Sequence, residues 1–188
     1  QGSTSHINKI KADTTYSLYQ LRRLQNVMGP KHLKTIAEGI LLSKIRYCLP
    51  VYGTGCFRLQ ESDPKTGLGQ QLQVIQNDML RILTKSRQQD HVRVSDMLQS
   101  TSLLSINQMI GYCTLMEMWK SRTFEIPHLS GLLTCGRNDT RTLHLNTQEK
   151  VTASVTEPFA ISAERLWNNA TDSFKGTNLL RVAKAEAK

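Results

Sequence analysis

The sequence predicts an all-α chain, a three-helix bundle at the front followed by a smaller, mostly helical region with short extended segments. Three observations carry that expectation. Only five prolines and eleven glycines interrupt 188 residues that are 39% apolar and 21% charged. That balance is globular rather than disordered, and Leu, Gln, Lys, Arg and Met, all helix formers, are plentiful. Apolar residues recur at three- and four-residue spacing in several segments, whereas the β-leaning stretches, Thr142–Leu145 and Val151–Val155, are short.

A first helix is expected over His6–Val27, where Ile7, Ile10, Leu18, Leu21, Leu24 and Met28 share helical spacing, and Gly29-Pro30 is expected to end it. Pro30 suits the first turn of a second helix, Lys31–Tyr47, with Leu33, Ile36, Ala37, Ile40 and Leu41 as its stripe. Lys44 falls about 20° from Leu33 on an ideal wheel, where its head either snorkels to the edge or points into a groove that holds phosphate. Leu49-Pro50 should stop this helix, and 51–67 reads as a loop. Gly53-Thr54-Gly55 is too short for a phosphate loop, with no lysine after the second glycine and no strand–helix frame.

The third helix, Leu72–Thr84, is the best patterned. Leu68, Leu72, Ile75, Met79, Ile82 and Leu83 share an arc of about 100°, the width of one core-facing stripe. Gln76 lies beside that arc and is a candidate for an inter-helix or backbone hydrogen bond. Asn77 and Arg81 lie opposite it, on an edge open to nucleic acid or another domain. Beyond a polar break, a short helix is expected around Ser95–Thr101. A long one follows over Ile106–Ser121, with Ser105 as N-cap and Ile106, Met109, Ile110, Cys113, Met116 and Trp119 as its stripe. Pro127–Arg141 reads as loop, Glu157–Trp167 as a helical unit and Asn178–Ala187 as a tail helix. The expected division is 1–88 and 89–188.

Charge is unevenly placed. Residues 1–60 hold nine basic side chains (Lys9, Lys11, Arg22, Arg23, Lys31, Lys34, Lys44, Arg46, Arg58) against Asp13 and Glu38, so +7 of the net +9 lies in the first third. A basic segment on a nearly neutral body points to a polyanion partner; the plainer reading is solubility alone. No serine elbow, paired carboxylates or acidic cluster able to hold Mg²⁺ stands out, so catalysis by this chain alone is not expected. Cys48, Cys56, Cys113 and Cys135 form no CxxC pair, which argues against structural zinc and for thiols in a reducing compartment. No apolar run approaches membrane-spanning length. The chain does not begin with Met, and Gln1-Gly2-Ser3 reads like a cut edge of something longer.

Several motifs in order are similar to one family. They are His6-Ile7-Asn8-Lys9-Ile10-Lys11-Ala12, Leu21-Arg22-Arg23-Leu24 and Tyr52-Gly53. Then come Leu72, Gln76, Asn77, Leu80, Arg81 and Ile82 as Leu-x-x-x-Gln-Asn-x-x-Leu-Arg-Ile, followed by Val94, Leu98, Leu103 and Ile106, and finally Arg165-Leu166-Trp167-Asn168. Together they resemble the C-terminal end of the reverse transcriptase encoded by non-LTR (LINE-type) retrotransposons of the Jockey-like group. The family usually continues Trp-Asn with Leu-Pro, where this chain has Asn169-Ala170.

The resemblance implies that the first three helices are a thumb gripping the template–primer duplex. The RNA-binding and DNA-binding residues expected there are Lys9, Lys11, Arg22, Arg23, Lys31, Lys34, Lys44, Arg46 and Arg81. It implies partners in element RNA, target DNA and the palm and fingers of the same polyprotein. It also implies that the catalytic aspartates and their Mg²⁺ precede residue 1, and that the protein acts inside the cell, in nucleus and cytoplasm. The region after about residue 90 would support the thumb or form a structural cap. The competing reading is a helical protein-interaction or scaffold domain whose basic face is incidental.

Overall fold

The computed structural model describes residues 2–58, 67–124, 126, 133–135, 143–145 and 156–176. These are mostly helical, and the fold is all-α with one small hairpin. The chain forms two compact units, each discontinuous in sequence: 1–48 with 65–107, and 49–64 with 108–188.

In the first unit, α1 (Gly2–Leu24) packs on α2 (Pro30–Ala37), α3 (Ser43–Arg46) and α5 (Gly67–Thr84). The buried seam of α1 is Ile7, Ile10, Thr14, Ser17 and Leu21, with Leu18 and Leu24 only half-buried. Alternating steps of three and four residues make this a coiled-coil-like seam with two small polar residues at its centre. The Thr14 hydroxyl donates to the Ile10 carbonyl at 2.7 Å, and the Ser17 hydroxyl to the Asp13 carbonyl at 3.3 Å. Both are thus buried without cost from an orphaned group. Gly29 does not cap α1 from the left-handed region. Its φ is −69°, and it stands at the N-cap of α2, with Pro30 in the first turn.

The second helix is continuous but not uniform, because a π turn (Glu38–Leu42) sits between α2 and α3. Ser43 completes it twice. Its N–H reaches five residues back to the Glu38 carbonyl, and its hydroxyl donates to the Gly39 carbonyl. A π turn accommodates one extra residue and so rotates everything after it. Ile45 takes the inward place that an unbroken helix would have given Lys44: Ile45 is fully buried and Lys44 exposed. Leu42 joins Leu41 of the expected stripe in the core, while Ile36 and Ile40 are half-buried. The helix ends at Arg46, where Tyr47 is extended (ψ 118°), and Cys48 then turns left-handed (φ 55°). Pro50 does not end structure here. It sits in the first turn of a short helix, α4 (Leu49–Tyr52), where a missing N–H is tolerated.

On α5, Leu72, Ile75, Met79, Leu80, Ile82 and Leu83 are buried. Gln76 is fully buried as well. Its Nε2 donates to the Leu104 carbonyl at 2.7 Å, and its Oε1 accepts from Gln73 Nε2 at 3.0 Å. Gln73 Nε2 also reaches Asn77 Oδ1 at 2.9 Å, and Gln73 Oε1 accepts the Ile106 N–H at 3.3 Å. Two side-chain amides therefore hold the segment that starts α7 (Ile106–Thr123). α6 (Val94–Thr101) packs along α5 and ends at left-handed Ser102 (φ 52°). Residues 89–107 thus belong with the first unit rather than beyond a cut at 88, because both α6 and the 104–106 segment are fastened to α5.

In the second unit, α7 is buried around most of its circumference. Its Met116, Met118 and Trp119 meet Leu143, Phe159, Ala163, Trp167 and Phe174 in one apolar cluster. Strand β1 (Leu133–Cys135) pairs antiparallel with β2 (Leu143–Leu145) in the register Leu133↔Leu145. The β2 segment was expected to be extended; its partner lies in the stretch expected as loop. Helix α8 (Thr156–Asn169) and the short α9 (Asp172–Gly176) complete the unit. The expectations for Val151–Val155 and Asn178–Ala187 fall outside the described residues.

Two of the sequence motifs have a physical reason here. In Arg165-Leu166-Trp167-Asn168, Trp167 is buried, with its ring edge-on to Phe174 (5.9 Å, 62°) and Arg122 over its face at 5.1 Å. Asn168 pairs with the backbone of Leu143 in both directions, N–H to Oδ1 and Nδ2 to carbonyl, each at 3.0 Å. The side-chain amide acts as the next strand beside β2. In Tyr52-Gly53, Tyr52 is buried, and a Cβ on Gly53 would stand 2.6 Å from the Leu49 carbonyl oxygen and 3.1 Å from Ile110. Only glycine fits that approach.

Gln76→Ala should cost about 2–4 kcal/mol in urea unfolding, from a lost hydrogen bond, an orphaned half-buried carbonyl and a cavity. Asn168→Ala should cost about 1–3 kcal/mol by leaving both Leu143 backbone groups unpaired. Asn168→Asp, which keeps the acceptor but loses the donor, should also destabilise; equal stability of Asn168→Ala and the parent chain would remove the strand-pairing role.

Candidate nucleic-acid interface

All nine expected binding residues lie in the first unit. Lys9, Lys11, Arg22, Arg23, Lys31, Lys44 and Arg46 are exposed, and Lys34 and Arg81 are half-buried. They occupy α1, α2, α3 and α5, the helices whose apolar faces meet one another. Because the apolar stripes are used up in packing, the long basic side chains are left on the outward faces.

Helix α1 shows the arrangement most clearly. Opposite its buried seam, Lys9, Tyr16, Tyr19 and Arg23 fall within an arc of about 80°. Tyr16 is 67% and Tyr19 59% exposed. Lys9 and Arg23 are fourteen residues apart in sequence, so the stripe runs about 21 Å along the helix, the length of several nucleotides. Lys11 and Arg22 share a flank of the same helix. Asp13 is the one acidic residue on α1, leaving that helix at +3. Arg22 and Arg23 also sit in the last turn, where positive charge suits the helix dipole.

The two tyrosines were absent from the sequence-derived set. The signal was present in the wheel: an aromatic pair on the face opposite the apolar seam. Tyr47 (70% exposed) adds a third aromatic next to Arg46. Exposed aromatics interleaved with lysine and arginine suit bases that stack and phosphates that pair.

The remaining members separate from this stripe. Lys44 reaches across to α1, where its Nζ donates to the Asp13 carbonyl at 3.2 Å and to Ser17 Oγ at 3.1 Å. It stitches α3 to α1 rather than pointing into a groove. Arg81 pairs with Asp78 one turn back on α5, at 3.4 Å, with both side chains partly exposed, an ion pair of small energy. Asn77, expected on an open edge, is half-buried and accepts from Gln73.

Among the described residues, no group of three or more His, Cys, Asp or Glu is placed to hold a metal ion, and no helix is long and apolar enough to cross a membrane. No family model, curated protein or solved structure matches the chain.

Replacing Tyr16 and Tyr19 together by serine should leave urea unfolding within about 0.5 kcal/mol per residue, as expected of outward side chains. A much larger loss would mean that the rings are buried in the folded protein and cannot receive a ligand.

Proposed function

We propose that this chain is the nucleic-acid-gripping C-terminal part of a LINE-type reverse transcriptase. The first unit holds the template–primer duplex by its phosphates, and the polymerase chemistry, with its Mg²⁺, belongs to a palm outside these residues. The observation that carries this reading is the outward face of α1, where Lys9, Tyr16, Tyr19 and Arg23 line up opposite a fully packed seam. The ordered motifs from His6-Ile7 to Trp167-Asn168 support it.

Contacts of this kind position a strand without reading its sequence. They suit an RNA–DNA hybrid, which proteins recognise by shape and backbone. The second unit, with its own apolar cluster, then serves as support for the thumb and as a second holding point for element RNA or target DNA during target-primed synthesis. The palm and fingers of the same polyprotein are the protein partners of this arrangement.

Fluorescence anisotropy with an RNA–DNA hybrid across a salt series tests it. Log K should fall linearly with log salt, with a slope of about −0.7 to −0.9 per phosphate neutralised. Reversing the charge of Lys9 and Arg23 together with Lys11, Arg22, Lys31 and Lys34 should abolish binding with helical content unchanged. Absence of hybrid binding at low salt would leave the scaffold reading in its place.

A further inference from the structure

A second group of basic side chains lies at the end of α5 and in the loop that follows it. Residues 78–96 contain Arg81, Lys85, Arg87 and Arg93 against Asp78, Asp90 and Asp96, a local +1. The backbone gathers these charges. Helix α5 ends at Thr84, Lys85 turns left-handed (φ 56°), and the Ser86 N–H closes on the Arg81 carbonyl at 3.1 Å. This is a Schellman-type end built without glycine. A 3₁₀ turn (Gln88–Asp90) follows, and His91 is left-handed in its turn (φ 46°). The two reversals fold the loop back against the last turn of α5.

The result is a cleft of about 360 Å³ bordered by Arg81, Ser86, Arg87, Gln88 and His91, with Met97 as an apolar wall. A shallower hollow of about 500 Å³ adjoins it and shares Arg87, Gln88 and His91. The lining brings hydrogen-bond donors, two guanidinium groups, an imidazole and an amide, while the Ser86 hydroxyl is already bonded to Thr84 Oγ1 at 2.8 Å. The nearby carboxylates are Asp78, Asp90 and Asp96, and Asp96 accepts from the Ser95 hydroxyl at 3.0 Å. Asp90 Oδ2 accepts the Arg87 backbone N–H at 2.6 Å and lines neither hollow. Asp78 meets Arg81 through one contact of 3.4 Å. Among the described residues, no carboxylate meets the Arg87 guanidinium or the His91 ring.

We propose that this cleft is a phosphate site that takes one backbone or terminal phosphate of a nucleic-acid strand, with Arg87 and Arg81 as its forked donors and His91 and Gln88 completing the shell. Guanidinium forks match phosphate oxygens two at a time. That the phosphate belongs to a strand rests on the function proposed above; that the cleft holds phosphate rests on its own lining.

The test uses the full chain and three probes: inorganic phosphate, a 5′-phosphorylated DNA oligonucleotide, and the same oligonucleotide without the phosphate. Arginine side-chain NMR signals report the site, and anisotropy reports affinity. Inorganic phosphate should shift the Arg87 and Arg81 signals, and the phosphorylated oligonucleotide should displace it. Arg87→Gln should weaken strand binding about tenfold or more, and Arg87→Lys, which keeps charge but not the fork, should weaken it less. Circular dichroism of each variant guards against misfolding.

Loss of hybrid binding on charge reversal of α1 and α2, with Arg87→Gln and Arg81→Gln binding as tightly as the parent, would overturn the cleft and leave the gripping face intact. Phosphate-induced shifts that no oligonucleotide competes with would overturn the strand as the source. No shift with any probe would overturn the site altogether.

Discussion

The first unit depends on two neighbouring amides. Gln73 and Gln76 sit one helical turn apart on α5 and between them satisfy the Leu104 carbonyl and the Ile106 N–H, while also bonding to each other. A buried side-chain amide is costly unless every group finds a partner. Here that requirement becomes a constraint on geometry, because only one placement of the 104–106 segment satisfies both glutamines at once. The start of α7 is fixed by that placement, and so is the loop that leads from α6. The buried Leu103 and Ile106 hold the same segment by packing.

The second unit uses the same device in another setting. Asn168 gives its side-chain amide to the backbone of Leu143, so a helix residue serves as a strand neighbour. A two-stranded hairpin is marginal by itself. With Asn168 along one strand and Trp167 beneath it, the hairpin is tied to α8 and to the apolar cluster. The tryptophan and the asparagine of the motif therefore have separate tasks, one of volume and one of hydrogen bonding. The exposed Arg165 beside them has neither.

The helices were legible because their apolar residues recur at the right spacing. Gln76 stood out as a polar residue beside an apolar stripe, and it proved to be the inter-segment donor. Three features were not legible, each for a definite reason. Thr14 and Ser17 are seam residues that no hydrophobicity pattern marks, since a hydroxyl bonded to its own helix is buried as readily as a small apolar group. Lys44 was misplaced by an ideal wheel because Glu38–Leu42 winds as a π turn. The fastening of 89–107 to the first unit depends on contacts between residues about thirty apart in sequence, which local periodicity does not encode. On the basic surface, the positions of the charges could be read from the sequence, but their different tasks could not. Lys9 and Arg23 remain outward, whereas Lys44 is drawn into helix–helix bonding.

The π turn bears on how this chain is to be compared with others. It winds one residue more into its turn than an α-helix does. A relative lacking the extra residue would align with this chain only if a gap were opened between Glu38 and Leu42, and an alignment without that gap would set its inward aliphatic against Lys44. Position-by-position conservation computed across such an error would show a charged residue drifting in and out of a core site. Every basic residue between Ser43 and Arg46 would then be assigned to the wrong side of its helix.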